Sequence, residues 1–183
     1  MVNKLQERAK TLPSVPFSSV TYGILLDALM AEEKDPKKRP EIAEDMLRYM
    51  RSLSVRPNLS MYSQLVQAWA GSGRPEAESR IHKIQNEMTG SGIQPNQVFC
   101  NILLRFYGTR GNVRGMTAVL KDMNALGISL DSIGTTHVVY CYARVGDVYR
   151  AQQHMESING EREPDLKAQS VQNVLQAYRT ALS

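Results

Sequence analysis

One peptide ending occurs three times in this chain at nearly regular intervals, and this repetition constrains the fold more than any other sequence feature. Each copy begins with a methionine and closes on an amide or acidic residue eight positions later, and the copies span 50–58, 88–96 and 123–131. A short helix-like opening starts at each of residues 19, 59, 97 and 132. The spacings of 40, 38 and 35 residues between these starts predict a repeat protein rather than a chain folded around one central core.

Each repeat is predicted to contain two helices. In the third repeat, Val98, Ile102 and Phe106 recur at helical spacing, and residues 109–112 interrupt the pattern before a second apolar stripe over 113–123. A helix pair of about 35 residues cannot bury its apolar stripes alone, whereas stacked pairs can. The predicted fold class is therefore all-α, an α-solenoid of tandem helix-turn-helix repeats, with essentially no sheet.

The predicted organisation divides the chain into six segments. These are the end of a preceding helix or an N-terminal cap (1–18), repeats one to four (19–58, 59–96, 97–131 and 132–165), and a partial repeat or C-terminal helix (166–183). Residues 5–10 resemble the end of a second helix, and 171–182 resemble a first helix without its partner. The chain is thus expected to be a fragment of a longer array, or a protomer whose ends are covered by partners.

Charge and composition exclude few classes of protein. Lysines and arginines number 22 against 18 acidic residues, and the resulting net charge of +4 permits an anionic partner without demanding one. No apolar run approaches about 18 residues, so no membrane insertion is expected. Cys100 and Cys141 are too few for a disulfide framework and are expected to be buried thiols in a reducing compartment. The basic run of Lys37, Lys38 and Arg39 is interpreted as a solvated loop.

Catalytic and metal chemistry find little support in the sequence. His137 and Cys141 are four residues apart on one predicted helix, but two ligands do not make a metal site. The sequence contains no glycine-rich phosphate loop and no nucleophile elbow. The acidic clusters within 32–35 and 41–45 are interpreted as solvated helix charge. We therefore predict no catalytic residues, no metal, no cofactor and no small-molecule substrate, and the chain is not expected to be an enzyme.

Two motifs resemble those of a known repeat family. Residues 20–28 read Val-Thr-Tyr-Gly-Ile-Leu-Leu-Asp-Ala, and residues 92–96 read Gly-Ile-Gln-Pro-Asn. They resemble the opening Val-Thr-Tyr-Asn-Thr-Leu-Ile-Asp-Ala and the close Gly-Ile-Lys-Pro-Asp of the pentatricopeptide repeat family. The resemblance covers 19–165 and extends into the last half-unit. It implies a right-handed superhelix that binds single-stranded RNA, about one nucleotide per repeat, in the RNA processing, stability or translation of mitochondria or chloroplasts.

The resemblance also implies which residues contact RNA. In this family, the residue after the tyrosine-like position of the first helix reads a base edge together with the last residue of the repeat. The implied pairs are Gly23 with Asn58, Ser63 with Asn96, Asn101 with Asp131, and Thr136 with Asp165. A small apolar residue packs on the base faces, and the matching positions are Val20, Val98 and Ile133, whereas Ser60 departs from the pattern. Arg105 and Arg144 are the candidates for phosphate contacts.

The family's recognition code turns these pairs into a predicted RNA sequence. An Asn–Asp pair favours U, a Thr–Asp pair favours G and a Ser–Asn pair favours A, whereas a Gly–Asn pair leaves its base open. With the amino end of the protein aligned to the 5′ end of the RNA, the predicted sequence is N-A-U-G. The fourth repeat departs from the family in two ways, because Leu130 replaces the expected proline before it and its own ending is one residue short.

Two alternatives stand beside this interpretation. Ser63, Asn101 and Thr136 lie near helix starts, where polar residues also serve as caps or face water. The whole chain could instead be a structural scaffold subunit of an organellar ribosome or another large assembly, making contacts with other proteins or non-specific contacts with RNA. Salt-dependent binding to short single-stranded RNAs would distinguish the two functions.

Overall fold

The computed structural model describes residues 17–158 of the chain, with side chains described through residue 155. Within this range the chain forms eight α-helices and no strand. In chain order they are α1 (Ser19–Glu32), α2 (Arg39–Ser52), α3 (Leu59–Gly71), α4 (Ala77–Gly90), α5 (Gln97–Arg110), α6 (Val113–Ala125), α7 (Ser132–Arg144) and α8 (Val148–Ile158). The all-α prediction is confirmed for this range. The helices expected at 5–10 and 171–182 lie outside the described residues, and the division into repeats stays a prediction.

Polar caps explain where the odd-numbered helices begin. Each of these helices follows a residue in extended conformation whose side-chain oxygen accepts a backbone N–H from the first turn, which satisfies a donor that the helix itself leaves unpaired. These capping residues are Ser18, Asn58, Asn96 and Asp131. The same four helices start at residues 19, 59, 97 and 132, where the repeated openings begin.

The start of α2 differs from the sequence-based interpretation of a basic loop. Arg39 is the first residue of this helix, and Pro40 follows at a position where its fixed φ and missing N–H are tolerated. The Arg39 guanidinium donates to the Glu33 carbonyl oxygen, from Nε at 3.1 Å and from Nη2 at 3.0 Å. The prediction of a solvated loop residue is therefore wrong for Arg39, which ties the end of α1 to the start of α2.

The chain divides into two compact units, Met1–Gln94 and Pro95–Ser183, called here the first and second unit. In the described part of the first unit, α2 packs against α1 and α3, α3 packs against α4, and α1 and α3 touch more sparingly. Its core is rich in methionines and aromatic residues, which fill irregular gaps between helices. The core residues include Tyr22, Leu26, Met46, Met50, Met61, Val66, Trp69, Ile81 and Met88.

In the second unit, the first helices α5 and α7 pack extensively against each other, α6 covers α5, and α8 covers α7. Gly108 makes the close approach of α5 and α7 possible, since a Cβ atom there would lie 2.8 Å from the His137 carbonyl oxygen. The buried residues include Phe99, Leu104, Tyr107, Met116, Met123, Val138, Val139 and Ala151. Cys100 and Cys141 are both free and buried in this unit, as predicted.

The described helices were also searched for membrane-spanning character. None of them combines the length and the apolar composition that a bilayer crossing requires.

Candidate nucleic-acid interface

Three of the predicted base-reading residues are helix caps. The Oδ1 atom of Asn58 accepts the Met61 N–H at 3.1 Å, and that of Asn96 accepts the Phe99 N–H at 2.9 Å. The Asp131 Oδ1 atom accepts the Gly134 N–H at 2.7 Å. These side chains are therefore fixed at the starts of α3, α5 and α7, a capping role that the sequence analysis had considered only for Ser63, Asn101 and Thr136. A capping oxygen keeps further lone pairs, so capping does not preclude a second contact.

The predicted hydroxyl readers bond to their own helices. Ser63 Oγ donates to the Leu59 carbonyl oxygen at 2.8 Å, and Thr136 Oγ1 donates to the Ser132 carbonyl oxygen at 2.9 Å. Each hydroxyl therefore donates its one hydrogen bond within its own helix and can still accept one from another group. Ser63 is half-buried, whereas Thr136 is buried.

Among the predicted pairs, Asn101 and Asp131 hydrogen-bond each other through their side chains. Asn101 Nδ2 lies 3.2 Å from Asp131 Oδ1 and 3.0 Å from Oδ2. Because an ionised carboxylate only accepts hydrogen bonds, this contact fixes which end of the Asn101 amide carries the nitrogen. The Asn101 Oδ1 atom on the other side is buried and accepts no hydrogen bond from the described part of the chain. The pair thus holds an oriented acceptor that is covered from solvent and unsatisfied within the described residues.

Gly134 also belongs to this site, although it was not among the residues predicted from the sequence. A Cβ atom at this position would lie 2.6 Å from Leu130 Cδ1 and 2.8 Å from Asn101 Oδ1. Any side chain would therefore crowd the free amide oxygen. The signal was present in the sequence, because Gly134 occupies the place that Met61 and Phe99 fill in the preceding repeats, and it accompanies the substitution of leucine at residue 130.

The pair predicted for the first repeat is built differently. Gly23 is buried and has no side chain, yet a Cβ atom there would meet Met61 Sδ only at 3.6 Å, an ordinary contact distance. Gln64 Nε2 reaches the Gly23 carbonyl oxygen at 3.4 Å. Asn58 Nδ2 donates to Ser19 Oγ at 3.2 Å. The first-unit site therefore offers backbone and a neighbouring amide where the second unit offers an amide–carboxylate pair.

The remaining two pairs are not joined within one described unit. Ser63 belongs to the first unit and Asn96 to the second, so each is described separately. Asp165, the predicted partner of Thr136, lies outside the described residues. Base reading by these residues stays a prediction.

The three predicted stacking residues are exposed apolar side chains at the starts of first helices. Val20 is 62%, Val98 63% and Ile133 50% exposed. Each is the second residue of its helix, two positions after the capping residue. An aliphatic side chain left in water at this point is available to a flat apolar partner such as a base face.

The two candidate phosphate arginines lie in different surroundings. Arg105 is exposed on α5, and its positive charge acts on His137 together with Asp131. Burial lowers the pKa of His137 most strongly, Arg105 lowers it further, and Asp131 opposes them, so the imidazole is neutral at pH 7. Arg144 is exposed at the last residue of α7, about 20 Å along that helix from the Asp131 cap. Arg105 is thus near the Asn101–Asp131 site, whereas Arg144 is at the far end of its helix.

The Cys141 thiol, four residues from His137 on the same helix, is buried. Burial raises the pKa of Cys141 to about 11, so it is a neutral thiol at physiological pH and a poor ligand. No cluster of three or more metal-ligating side chains occurs in the part of the chain that the structure describes.

Comparison with known proteins identifies the repeats. The family profile described as "Pentatricopeptide repeat domain" matches residues 46–112. Residues 46–112 are therefore similar to pentatricopeptide repeats, and relatives with that name match most of the chain. The resemblance read from the opening and closing motifs is therefore confirmed.

Two pentatricopeptide repeat-containing proteins of Arabidopsis thaliana match most of the chain. One is 25% identical over 155 residues, which are 85% of this chain and 25% of the relative. The second, named as mitochondrial, is 25% identical over 163 residues, 87% of this chain and 25% of the relative. The chain spans about a quarter of the length of these relatives.

Solved pentatricopeptide repeat structures share the fold. The maize protein PPR10, in complex with an 18-nucleotide psaJ RNA element, aligns with a TM-score of 0.74 and 19% identity over 100% of this chain and 26% of its own. The pentatricopeptide repeat domain of Arabidopsis thaliana protein-only RNase P 1, in complex with tRNA, aligns with a TM-score of 0.58 and 18% identity over 88% of this chain and 91% of its own. The predicted α-solenoid class of tandem helical repeats is confirmed.

Proposed function

We propose that this pentatricopeptide repeat chain binds single-stranded RNA, about one nucleotide per repeat, through side chains at the starts of its first helices. The observation that carries the proposal is the Asn101–Asp131 contact, in which the carboxylate orients an amide whose oxygen has no partner among the described residues. The similar PPR10 and RNase P 1 repeat structures are complexes with RNA, which supports the same class of ligand.

The free Asn101 oxygen favours a base with an N–H donor on its pairing edge. Uracil presents N3–H between two carbonyl oxygens, so it can donate to Oδ1 and accept from the second Nδ2 hydrogen. Cytosine and adenine present an unprotonated ring nitrogen there, which would face the amide oxygen as a second acceptor. This oxygen is covered in the free chain, so the Asn101 side chain must turn outward for a base to reach it. A buried acceptor without a partner costs about 1–3 kcal/mol, and pairing it with an N–H offsets part of that movement. This chemistry supports U as the third base.

The other pairs extend the proposed sequence to N-A-U-G. Ser63 with Asn96 is assigned A, Thr136 with Asp165 is assigned G, and Gly23 with Asn58 leaves the first base open. The exposed side chains that would pack on base faces are Val20, Val98 and Ile133. Arg105 and Arg144 would neutralise phosphates.

The proposed role is binding without catalysis, in organellar RNA processing, stability or translation. One relative is named mitochondrial, and one structural neighbour is the repeat domain of an RNase P in complex with tRNA. The alignment with that domain, rather than with a separate catalytic module, supports a binding role for this chain. Mitochondria or plastids are the proposed location.

Binding of short RNAs tests the function. We expect an A-U-G-containing oligomer to bind about tenfold tighter than a scrambled one at the same salt concentration, and binding to weaken as salt rises. Asn101→Thr should move the selected third base from U toward G, because a hydroxyl replaces the amide. Asn124→Thr, on an exposed position of α6, is the matched control and should leave the selected motif unchanged. Equal binding of both oligomers would favour the scaffold function instead.

A further inference from the structure

The first repeat has no side chain at the position that should read its base. Gly23 holds that position, and its pairing with Asn58 leaves the first base of the RNA open. Asn58 is itself engaged, because its Oδ1 atom caps α3 and its Nδ2 atom donates to Ser19. A preference at the first base therefore has to come from another residue.

Gln64 of α3 brings an amide to this glycine within the first unit. Its Nε2 atom reaches the Gly23 carbonyl oxygen at 3.4 Å, and a Cβ atom at Gly23 would lie 3.9 Å from the same nitrogen. A carbonyl oxygen only accepts hydrogen bonds, so this contact assigns the nitrogen end of the amide to Gly23. The Oε1 end is left for another partner.

The Oε1 atom of Gln64 is buried and has no hydrogen-bond partner among the described residues. Two other side-chain atoms in that range share this condition, Oδ1 of Asn101 and Oε1 of Gln85. Asn101 is the predicted reader of the third base, whereas Gln85 lies on α4, a second helix. Buried acceptors are nearly always satisfied in folded proteins, so an unpaired one beside each of two base-reading positions is explained by a ligand that donates.

The Gln64 amide is able to turn toward a base, although its oxygen is covered in the free chain. The residue as a whole is only half-buried, and its side chain is long and flexible. The contact that it gives up is weak, because 3.4 Å exceeds the usual length of an N–H···O hydrogen bond. An N–H donor on the base then satisfies the oxygen that the free chain leaves unpaired.

The exposed side chain of Val20 gives the base a place to pack beside this amide. Val20 is three residues before Gly23, so the two positions are neighbours on the surface of α1. A base packed on Val20 brings its edge over Gly23, which adds no side chain of its own. The glycine thus leaves room between the proposed stacking residue and Gln64.

We propose that Gln64 reads the first base in place of the absent side chain of Gly23, and that it favours U or G. This rests on the proposed function, because it requires RNA to lie along the first helices. The Oε1 atom accepts the ring N–H in the middle of the pairing edge, which is N3–H in uracil and N1–H in guanine. Adenine and cytosine have an unprotonated ring nitrogen there, which would face the amide oxygen as a second acceptor. The target N-A-U-G thereby becomes U-A-U-G or G-A-U-G.

Selection of bound sequences from a pool of randomised RNA, with the full chain, tests this assignment. We expect U and G to exceed A and C about fivefold at the first base, the size of one net hydrogen bond. Gln64→Met keeps the length of the side chain without its amide, and it should abolish this preference while A-U-G remains selected at the next three bases. Gln67→Met, at an exposed position of the same helix, is the matched control and should leave all four preferences unchanged.

Thermal melting separates base reading from a packing role. Gln64→Met removes a buried oxygen that has no partner in the described range, so the variant should melt at or above the wild-type temperature. A lower melting temperature with unchanged base selection would assign Gln64 to packing and overturn the proposal.

The pattern of selection distinguishes this proposal from the proposed function. An indifferent first base, a selected A or C, or a preference for U or G that Gln64→Met leaves in place overturns the assignment of Gln64. In each of these cases the selection of A-U-G at the next three bases still supports the proposed function. Absence of any RNA selection by the wild-type chain overturns both.

Discussion

The two units use glycine in opposite ways where their first helices meet. In the first unit, Gly23 leaves space beside Met61 that a methyl group could occupy at 3.6 Å. In the second unit, Gly108 admits the backbone of α7 itself, with the His137 carbonyl oxygen 2.8 Å from where a Cβ would be. The first glycine therefore leaves a site open, whereas the second brings two helices together.

This difference bears on how firmly each site is built. Close packing of α5 and α7 holds Asn101 against Asp131, so the second-unit site is organised before any ligand arrives. In the first unit, α1 and α3 make fewer contacts and the long side chain of Gln64 lies between them. Preorganised contacts lose less entropy on binding, so sequence discrimination should be concentrated in the second unit.

Substituting the two glycines tests the comparison most strongly. We expect Gly108→Ala to destabilise the second unit by about 2–3 kcal/mol, because backbone atoms of α7 must move. Gly23→Ala has room and gains helix propensity, so its effect should lie within about 1 kcal/mol. Urea unfolding can be followed separately in each unit, through the fluorescence of Trp69 in the first and the thiol reactivity of Cys100 and Cys141 in the second. Equal shifts for the two variants would contradict the comparison.

Removing the cap at each site gives a smaller effect. Asp131→Ala removes a helix cap and leaves the Asn101 amide without its carboxylate, for which we expect a loss of about 2 kcal/mol. Asn58→Ala removes a cap and a hydroxyl contact to Ser19, for which we expect about 1 kcal/mol. Chemical denaturation measures both. Asp131→Asn retains the cap and should recover most of the loss, whereas a loss as large as that of the alanine variant would assign the effect to charge.

The smallest expected difference between the units is in how their stability depends on pH. Both cysteines belong to the second unit, so thiol titration acts on that unit. Burial raises the pKa of Cys100 and of Cys141 to about 11 from the ordinary value of 9.0. As pH rises through 9, thiols of the unfolded chain lose protons that the folded chain retains, so stability is full below pH 9 and falls toward pH 11.

We expect this loss to be less than about 1 kcal/mol between pH 8 and pH 9. Comparing the chain with the double variant Cys100→Ala and Cys141→Ala measures it, since other groups titrate in both. An identical fall in the double variant would show that the thiols do not contribute.

The sequence was sufficient to place the starts of the described first helices. The capping residues and the repeated openings coincide, and the described first helices begin where the repeats predict. Met50, Met88 and Met123 are buried, as expected for residues at equivalent places in the second helices. These features depend on short-range patterns, which a repeat displays several times over.

The site was harder to predict because its decisive contacts are long-range. Gly134 matters through its proximity to Asn101, which is 33 residues earlier, and no local pattern reports that distance. Glu44 was interpreted as solvated charge, but it accepts a hydrogen bond from Trp69. That interpretation is wrong for Glu44 because charge in a sequence gives no information about which neighbour a folded helix brings to it.

The capping residues restrict how the proposed recognition can change. Asn58, Asn96 and Asp131 each start a helix, and replacing a cap with a residue that cannot accept the N–H costs about 1 kcal/mol. During evolution or engineering, the last residue of a repeat can therefore vary freely only among Asn, Asp, Ser and Thr. New specificities would have to arise chiefly at the other member of each pair, where no cap is at stake.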